Sequence, residues 1–439
     1  LKGTYMFEKI FHQGLFIDKH KDLTKDKPVE RCKTPDLVYI PNLMHTGKPA
    51  ELKLKKGDTV KVGTLLGEYD GKISASVHSS VSGIVKEIRE MDTFRGETEV
   101  VIIRNDKEYK EEAPLELLTE NVSVEDFVER LSDAGITGKG GAGFPTSVKF
   151  DADEDAMRYL VVNGSECEPY STTDHRIMVE NARDVVKMMH LIMETYGLKK
   201  VFIAIEEHMS EAVEAIKKAA EEEGKVIDIH LLKNRYPKGH AGLQIREVTG
   251  ITIPDGQRAG SQGILQSNVS TLKAMYDAFF LGKPFTERVV TVTGPKLKSH
   301  KNLLISMGTP VKDILDYMGG ITDDNTRMIN GGPMMGKAFE DVHYPVDKDT
   351  TTLLFIDDKD LPKQTACIRC GRCIEVCPVA LQPIIIHDAK KNMETYRVPE
   401  LRSESCISCG SCTYICPSNI PLLDSIQALN KDWKELQDE

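Results

Sequence analysis

Two runs of cysteine near the carboxyl end of the chain constrain its fold and chemistry more than any other feature. Each run reads C-x2-C-x2-C-x3-C-P. Thiolates separated by two residues on a tight loop converge on one cubic iron–sulfur cluster, so the spacing predicts two [4Fe–4S] clusters and a role in electron transfer. The cysteines are Cys367, Cys370, Cys373 and Cys377 in the first motif, and Cys406, Cys409, Cys412 and Cys416 in the second motif.

The last cysteine of each motif lies next to a proline and is directed at the other cluster when two such motifs share a domain. We therefore assign Cys416 to the cluster of the first motif and Cys377 to the cluster of the second motif. Paired structural zinc sites and a disulfide framework are the alternatives. Zinc sites usually take two cysteine pairs, or cysteine with histidine, across a longer loop, and do not need three evenly spaced cysteines twice.

Charge and the remaining cysteines indicate the compartment and exclude one class of partner. The formal net charge of −11 argues against a nucleic-acid partner, because binding phosphates requires a basic face. Two of the ten cysteines lie outside the motifs, Cys32 and Cys167, and their wide separation suits a reducing compartment better than a secreted protein. We expect a cytoplasmic setting.

Membrane attachment is not predicted from the sequence itself. No stretch near the first residue combines basic and apolar regions, so we expect no signal peptide. The long uncharged run at residues 405–423 has almost the length of a membrane span, but it contains two prolines, a glycine and four cysteines of the second motif. We expect this run to be a cofactor loop, and any membrane association to come through partner proteins.

The chain divides into four predicted modules, and the fold class is multidomain α/β. Short apolar stretches punctuated by glycine predict a β barrel or sandwich over residues 1–115. Helical and strand patterns then alternate, which predicts an α/β domain with a mostly parallel sheet over residues 116–285. Residues 286–345 predict a β-grasp module, and residues 346–439 a helical domain for two clusters, with helices over 381–393 and 422–436.

The first module resembles the barrel-sandwich hybrids of biotinyl and lipoyl domains. The stretches "KKGDTVKVGTLLGE" and "SASVHSSVSGIVKEI" carry the resemblance. Those carriers display a modified lysine on an exposed hairpin, whereas the corresponding hairpin here holds Ser74, Ala75 and Ser76. We therefore expect a docking module and not a swinging arm.

A glycine-rich loop, "GITGKGGAGFPTSVKF", occupies residues 135–150. Five glycines in nine residues allow backbone N–H groups to approach a phosphate closely, with a helix start behind them. Glycine count alone is weak evidence, since flexible turns look much the same. By the residues alone, Lys149 could equally be a surface lysine and Phe144 a core residue.

This loop resembles the flavin-binding loop of the NADH-binding, 51-kDa-type subunit of respiratory complex I. A second stretch, "VVNGSECEPYSTTDHRIM", is similar to the next motif of that superfamily, and "SNVSTL" around Asn268 to its asparagine-containing flavin contact. The resemblance implies that Phe144, Lys149 and Glu168 face NADH. It also implies an FMN site lined by Gly138, Lys139, Gly140, Gly141, Lys149, Asn163, Ser165, Glu166 and Asn268.

The order of the modules resembles the C subunit of Rnf electron transport complexes, and the third module would then be a β-grasp module of the SLBB type. One departure stands at His240 and Ala241, where that family usually has an acidic residue. The resemblance implies transfer of electrons between ferredoxin and NAD+ through FMN and two [4Fe–4S] clusters, coupled to ion transport by partner subunits.

The same resemblance implies partners and a location. The partners are other subunits of a membrane complex, including integral membrane subunits, and ferredoxin directly or through one of them. The chain would lie on the cytoplasmic face of a bacterial or archaeal cell membrane. Two rival functions are a diaphorase-type subunit of a soluble hydrogenase or formate dehydrogenase, and a non-catalytic scaffold that carries clusters.

Overall fold

The computed structural model describes residues 14–71, 73–139, 143–359 and 362–438. Gly140 and Gly141, two of the predicted flavin residues, lie outside the described residues. The first described segment, residues 14–34, runs across the later modules, and we call it the strap. Its strand β1 (Val29–Arg31) pairs in parallel with residues 302–304, although it belongs to the part of the chain predicted as the first module.

The first module is built from two small antiparallel sheets. The strands are β2 (Leu37–Pro41), β3 (Glu51–Leu52), β4 (Thr59–Val60), β5 (Leu65–Glu68), β6 (Val77–His78), β7 (Gly83–Met91) and β8 (Thr98–Asn105). One sheet has the order β2-β8-β7-β4 and the other β3-β5-β6. Alternate side chains such as Val38, Ile40, Leu66 and Ile103 fill the core between them.

The hairpin that would carry a modified lysine in a carrier domain is buried inside the molecule. Ser74, Ala75 and Ser76 are only 2–3% exposed. The Lys348 amine donates hydrogen bonds to the carbonyl oxygens of Ser76 (2.6 Å) and Gly135 (2.7 Å), which joins the hairpin to the start of the glycine-rich loop. Burial lowers the pKa of Lys348 to about 7. The surface of this hairpin is therefore a contact within the chain.

The second module is a four-stranded parallel sheet covered by helices. The order is β11-β10-β9-β12, and the parallel pairing agrees with the alternating pattern. The elements are α1 (Val124–Asp133), α2 (Thr146–Phe150), β9 (Tyr159–Gly164), α3 (Thr173–Glu180), α4 (Ala182–Thr195), β10 (Lys200–Glu206), α5 (Ser210–Glu222), β11 (Asp228–Leu232), α6 (Ala241–Thr249), β12 (Ile264–Asn268) and α7 (Val269–Phe280).

Two local features of this module can be compared directly with predictions from the sequence. Ser123 precedes residues with helical apolar spacing, which predicts an N-cap, and it does cap α1 by accepting a hydrogen bond from the Asp126 N–H at 3.1 Å. The apolar spacing of residues 179–196 predicts one long helix, and this prediction is wrong in one respect. The chain leaves helical geometry at Asn181, which separates α3 from α4.

The third module is a six-stranded sheet with one helix against it. Its remaining elements are β13 (Glu287–Thr293), β14 (Lys301–Ser306), α8 (Val311–Met318), β15 (Thr326–Asn330), β16 (Lys337–Phe339) and β17 (Thr352–Asp357). The order is β1-β14-β13-β17-β15-β16, so β1 of the strap forms one edge. The core includes Cys32, Val290, Leu303 and Ile314.

The fourth module holds both cysteine motifs among short helices. They are α9 (Arg372–Glu375), α10 (Pro383–Lys391), α11 (Val398–Leu401), α12 (Ser411–Tyr414) and α13 (Leu422–Asp438). The motifs fold alike, because Gly371 and Gly410 both adopt positive φ just before α9 and α12. Across the described part of the chain, none of the helices combines the length and the apolar character needed to cross a membrane.

Candidate flavin and cluster site

A cavity of about 760 Å³ opens at the carboxyl ends of β9 and β12. Ligands of parallel α/β sheets bind at this edge, and a cavity of this size accommodates a mononucleotide cofactor. The structure brings eight of the predicted residues together in its lining: Gly138, Lys139, Lys149, Asn163, Ser165, Glu166, Glu168 and Asn268. We call this space the inner cavity.

Asp174, on the first turn of α3, organises one wall of the inner cavity. Its carboxylate accepts hydrogen bonds from the Lys139 amine at 2.7 Å and from the Asn268 side-chain amide at 2.9 Å. The Ser270 hydroxyl also donates to it. Asp174 was not singled out from the sequence, although an acidic residue in the first turn of a helix that follows a strand was a readable signal.

Glu166 is held by several groups of the protein. Its carboxylate accepts hydrogen bonds from the Ser171 hydroxyl (2.8 Å) and from the Asp174 N–H (3.0 Å), and the Lys21 amine lies 3.6 Å away. Burial alone would raise the pKa of Glu166, but Lys21, Lys139 and these hydrogen bonds outweigh it and hold the pKa at about 2. Glu166 therefore contributes fixed negative charge behind the cavity wall.

Glu168 contacts the third module. It accepts a hydrogen bond from the Met334 N–H at 3.1 Å, and its Oε1 atom is buried without a hydrogen-bond partner among the described residues. A Cβ atom on Gly332 would overlap the Glu168 carboxylate, so only glycine allows this approach. Burial raises the pKa of Glu168 to about 7, against hydrogen bonds from the backbone of Met334 and Met335.

A larger cleft of about 1760 Å³ lies between the second module and the cysteine motifs. Phe144 lines this cleft, with the Arg258 guanidinium 4.9 Å from its ring centre. Lys149 lines both the cleft and the inner cavity, and burial together with Arg258 lowers its pKa. The structure thus places Phe144 and Lys149 together but puts Glu168, the third predicted nucleotide residue, in the inner cavity.

His240 and Ala241 lie at the start of α6 and line both spaces. The His240 Nδ1 atom is buried and has no hydrogen-bond partner among the described residues, and burial lowers the pKa of the ring. A neutral imidazole and a methyl group thus occupy the place where the family resemblance leads one to expect a carboxylate.

The first and third modules close the inner cavity from above. Thr93, Phe94 and Arg95, on the turn between β7 and β8, line it together with Lys337 and Asp349. Arg95 forms ion pairs with Asp347 (3.4 Å) and Asp349 (3.2 Å), and its guanidinium leaves no room for a Cβ atom on Gly143. No local sequence signal marks these residues, because they are far from the glycine-rich loop along the chain.

The last thiol of each cysteine motif lies among the thiols of the other motif. Burial raises the pKa of Cys412 to about 12, and the thiols that act on it are Cys406, Cys409 and Cys377. Burial likewise raises the pKa of Cys373, beside Cys416 and Cys370. No three described Cys, His, Asp or Glu side chains lie close enough to share a single metal ion, whereas each thiolate of a cubane binds a different iron atom.

One cysteine joins the two parts of the site. Cys409 of the second motif and the nearby Ile407 line the inner cavity, and the buried Tyr236 hydroxyl donates a hydrogen bond to the Cys409 carbonyl oxygen at 2.7 Å. A cluster held by the second motif would therefore lie directly beside any ligand of the inner cavity.

The polar groups of the inner cavity suit a flavin. Several buried polar atoms of its lining have no hydrogen-bond partner among the described residues, including Thr146 Oγ1, Glu168 Oε1, His240 Nδ1 and Ser267 Oγ. A flavin ring system presents both donors and acceptors along its pyrimidine edge, and its phosphate suits the glycine-rich loop. These residues fit FMN by size and chemistry.

Comparison with known protein families gives four matches in chain order. They are the RnfC barrel sandwich hybrid domain (residues 9–108), the Nuo51 FMN-binding domain (131–277), the SLBB domain (289–338) and the 4Fe-4S dicluster domain (366–420). The predicted fold class is confirmed. The predicted cofactors, FMN and iron–sulfur clusters with NAD(H) as substrate, are also confirmed.

Curated relatives match over most of the chain. The C subunit of a proton-translocating ferredoxin:NAD(+) oxidoreductase complex from Clostridium ljungdahlii is 36% identical, covering 86% of this chain and 84% of the relative. The C subunit of the Na(+)-translocating complex from Acetobacterium woodii is 33% identical, covering 87% and 88%. The C subunit of an ion-translocating oxidoreductase complex from Rhodobacter capsulatus is 34% identical, covering 84% and 73%.

The matched modules account for each part of the site: the barrel-sandwich turn that closes the inner cavity, the FMN-binding sheet edge beneath it, and the dicluster loop that reaches it through Cys409. The chain therefore belongs to the family of C subunits of ion-translocating ferredoxin:NAD(+) oxidoreductase complexes.

Proposed function

We propose that this chain passes electrons between NAD(H) and one-electron carriers as one member of a membrane-associated ferredoxin:NAD+ oxidoreductase complex. Its partner proteins link the electron transfer to ion transport. The single observation that carries this function is the contact between the two sites. Cys409 of the second motif lines the same cavity as the predicted flavin residues.

The chemistry requires this contact, because nicotinamide exchanges two electrons as a hydride whereas each cluster accepts one. FMN supplies the conversion between the two when bound. The protein contributes position and electrostatics: Lys139, Asp174 and Asn268 form a fixed hydrogen-bonded wall of the inner cavity. Side chains fixed in this way need little reorganisation when a ligand binds, which favours a single ligand orientation.

The residue roles extend the proposal. Gly138, Asn163, Ser165 and Asn268 hold FMN in the inner cavity, with Glu168 as a further hydrogen-bonding group. We place Glu168 at the flavin, next to the face that the nucleotide approaches.

The nicotinamide nucleotide takes the larger cleft. Phe144 and Lys149 position it there, and Lys149 borders both ligands because it lines both spaces.

The arrangement in the cell is part of the same proposal. The chain lies on the cytoplasmic face of the membrane, held by integral membrane subunits, and receives electrons from ferredoxin directly or through one of them. Residues 1–115, 116–285, 286–345 and 346–439 act as its docking, flavin, β-grasp and cluster domains. The strap crosses these divisions.

A visible spectrum of the anaerobically purified chain, before and after NADH, tests the function. We expect bound flavin and about eight iron atoms, with both flavin and cluster absorbance falling on NADH addition. In Cys409→Ser, NADH should still reduce the flavin, while the clusters should no longer receive its electrons. Cys32→Ser, which alters a buried thiol in the core of the third module, is the matched control.

Three outcomes would contradict the proposal. If the purified chain contains zinc and not iron, it does not hold iron–sulfur clusters. If it contains clusters but no flavin, or a flavin that NADH does not reduce, it is a scaffold that only carries clusters.

A further inference from the structure

The two cysteine motifs differ sharply in exposure, although they fold alike. Cys409 and Cys412 of the second motif are each 8% exposed, and Cys409 lines the inner cavity. In the first motif Cys367 and Cys370 are both exposed. A cluster held by the second motif would therefore lie nearer the flavin site, and a cluster held by the first motif would be the one that an external protein can approach.

The exposed loop is held firmly in place. The Thr365 N–H donates to the Ser418 carbonyl oxygen at 2.9 Å, and the Ser418 hydroxyl donates to the Ala366 carbonyl oxygen at 3.0 Å. The Asn419 side-chain amide reaches the Lys363 carbonyl oxygen at 3.5 Å. The residues that follow the second motif thus fix the loop of the first motif, and its outer surface is presented in one orientation.

This outer surface is basic on a protein that is acidic overall. Three cations are exposed on the segment that carries the first-motif thiols: Lys363, Arg369 and Arg372. The described residues 362–377 contain one acidic residue, Glu375. None of the three cations has a carboxylate within ion-pair distance among the described residues. With a net charge of −11 for the whole chain, this group of three exposed cations is a local reversal of sign.

An apolar contact accompanies the charge. Ile368, between two thiols of the first motif, is 68% exposed. Tyr414, on the helix that packs beside α9, is 58% exposed. An apolar centre within a charged rim is typical of protein–protein contacts.

We propose that this surface, defined by Lys363, Ile368, Arg369, Arg372 and Tyr414, is the docking site for an acidic iron–sulfur electron carrier protein. The inference rests on the proposed function and names the place where single electrons enter or leave the chain. Charge complementarity speeds association and selects partners, and a short-lived contact suits a carrier that must dissociate after each electron. We call this surface the exit face.

An anionic membrane surface is the other occupant that basic charge attracts. Stable membrane binding requires a broad apolar face or several neighbouring cations on a helix. The exit face offers three cations and two exposed apolar side chains on loops and one-turn helices. The structure therefore favours the protein partner.

Charge reversal tests the proposal. The variant carries Arg369→Glu with Arg372→Glu, and the control carries Lys217→Glu with Lys218→Glu on the exposed face of α5. Both change the net charge equally. The probe is a two-cluster ferredoxin of strongly negative net charge, and its binding to the purified, cluster-loaded chain is measured by titration calorimetry.

We expect at least about tenfold weaker binding for the exit-face variant and little change for the control. Affinity of the unmodified chain should fall steeply between about 0.1 and 1 M ionic strength, as the Debye length shortens from about 10 to 3 Å. Iron content and the visible spectrum show whether the double variant has lost a cluster. If it has, Lys363→Glu replaces it in the binding measurement, because Lys363 is farther from the thiols along the chain.

The electron assay separates this inference from the proposed function. NADH-dependent reduction of a small neutral dye should persist in the exit-face variant, while oxidation of pre-reduced ferredoxin by NAD+ slows. If the unmodified chain neither reduces the dye with NADH nor oxidises ferredoxin with NAD+, the proposed function fails. If both variants bind and oxidise ferredoxin equally, or if the exit face binds phosphatidylglycerol vesicles and not ferredoxin, the docking proposal is overturned.

Discussion

The carboxyl group of Glu168 titrates near neutrality because it is enclosed between the flavin cavity and the third module. Burial raises its pKa to about 7 from an ordinary value of 4.5. The folded chain therefore binds more protons than the unfolded chain between these two pH values. Glu168 therefore makes its full contribution to the stability of the fold below pH 4.5, and this contribution is lost as the pH rises through 7.

Glu168→Gln removes this titration, since glutamine is neutral at every pH in the window. We expect the melting temperature of the variant, relative to the unmodified chain, to rise as the pH increases from about 5 to 8. Glu340→Gln, which changes an exposed carboxylate of the third module, is the matched control. A difference in melting temperature that does not depend on pH would contradict the assigned environment of Glu168.

Single residues also show what could be read from the sequence. Gly138, Lys139, Asn163 and Asn268 were implied by the resemblance of local motifs to a known flavin-binding family, and they meet because these motifs adjoin the ends of strands of one parallel sheet. The ion pair of Arg95 with Asp349 spans 254 positions and carries no local pattern. Such contacts depend on how modules pack, which periodicity and spacing do not encode.

At the scale of elements, the strap supplies the counter-charges for two buried carboxylates. The Lys19 amine lies 2.9 Å from the Glu206 carboxylate, and Glu206 is fully buried at the end of β10. Lys21 lies in the same way beside Glu166. The strap therefore helps to fix the sheet edge on which the inner cavity is built.

Lys19→Met leaves the Glu206 carboxylate with the Ser165 hydroxyl and the His208 ring as its near polar partners, and with Lys21 as a more distant buried cation, among the described side chains. We expect a loss of about 3–5 kcal/mol in the free energy of unfolding, measured by chemical denaturation, because a buried charge loses its nearest counter-charge. Lys25→Met is the control, since the Lys25–Asp22 pair is exposed to solvent. Equal losses in the two variants would refute a special role for Lys19.

The elements that sequence reasoning misjudged share a cause. Apolar spacing continues from α3 into α4, so periodicity alone cannot reveal the break at Asn181. Strand β1 has three residues and joins a sheet whose other strands begin at Glu287, so nothing nearby identifies its partner. By contrast, the parallel sheet and the cluster helices follow from long local patterns, and they were predicted.

At the scale of the whole molecule, the first module acts as a lid on the flavin site and not as a mobile carrier. Its hairpin is buried against the glycine-rich loop, and the Thr46 N–H donates to the Gly143 carbonyl oxygen at 3.1 Å. Arg95 extends this contact into the inner cavity. The described ends of the glycine-rich loop thus pack against a module that has its own core.

Arg95→Leu should weaken FMN binding about ten- to a hundredfold, as expected for the loss of charge-assisted hydrogen bonds worth about 1.5–3 kcal/mol. The measurement is a fluorescence titration of flavin-stripped protein with FMN. Arg89→Leu changes a surface arginine on β7 of the same module and is the control. Unchanged affinity in Arg95→Leu would show that the lid does not act through this side chain.

The pairing of β1 with β14 has a consequence for synthesis. Val29 meets Asn302, so 273 residues separate the two partners. At a translation rate of about 5–20 residues per second, the partner strand emerges roughly 14–55 seconds after β1. During that interval the strap lacks its sheet edge, and for much of it Glu206 and Glu166 as well. The strap is therefore a late-folding segment, because β1 can pair only after the residues of β14 have been synthesised.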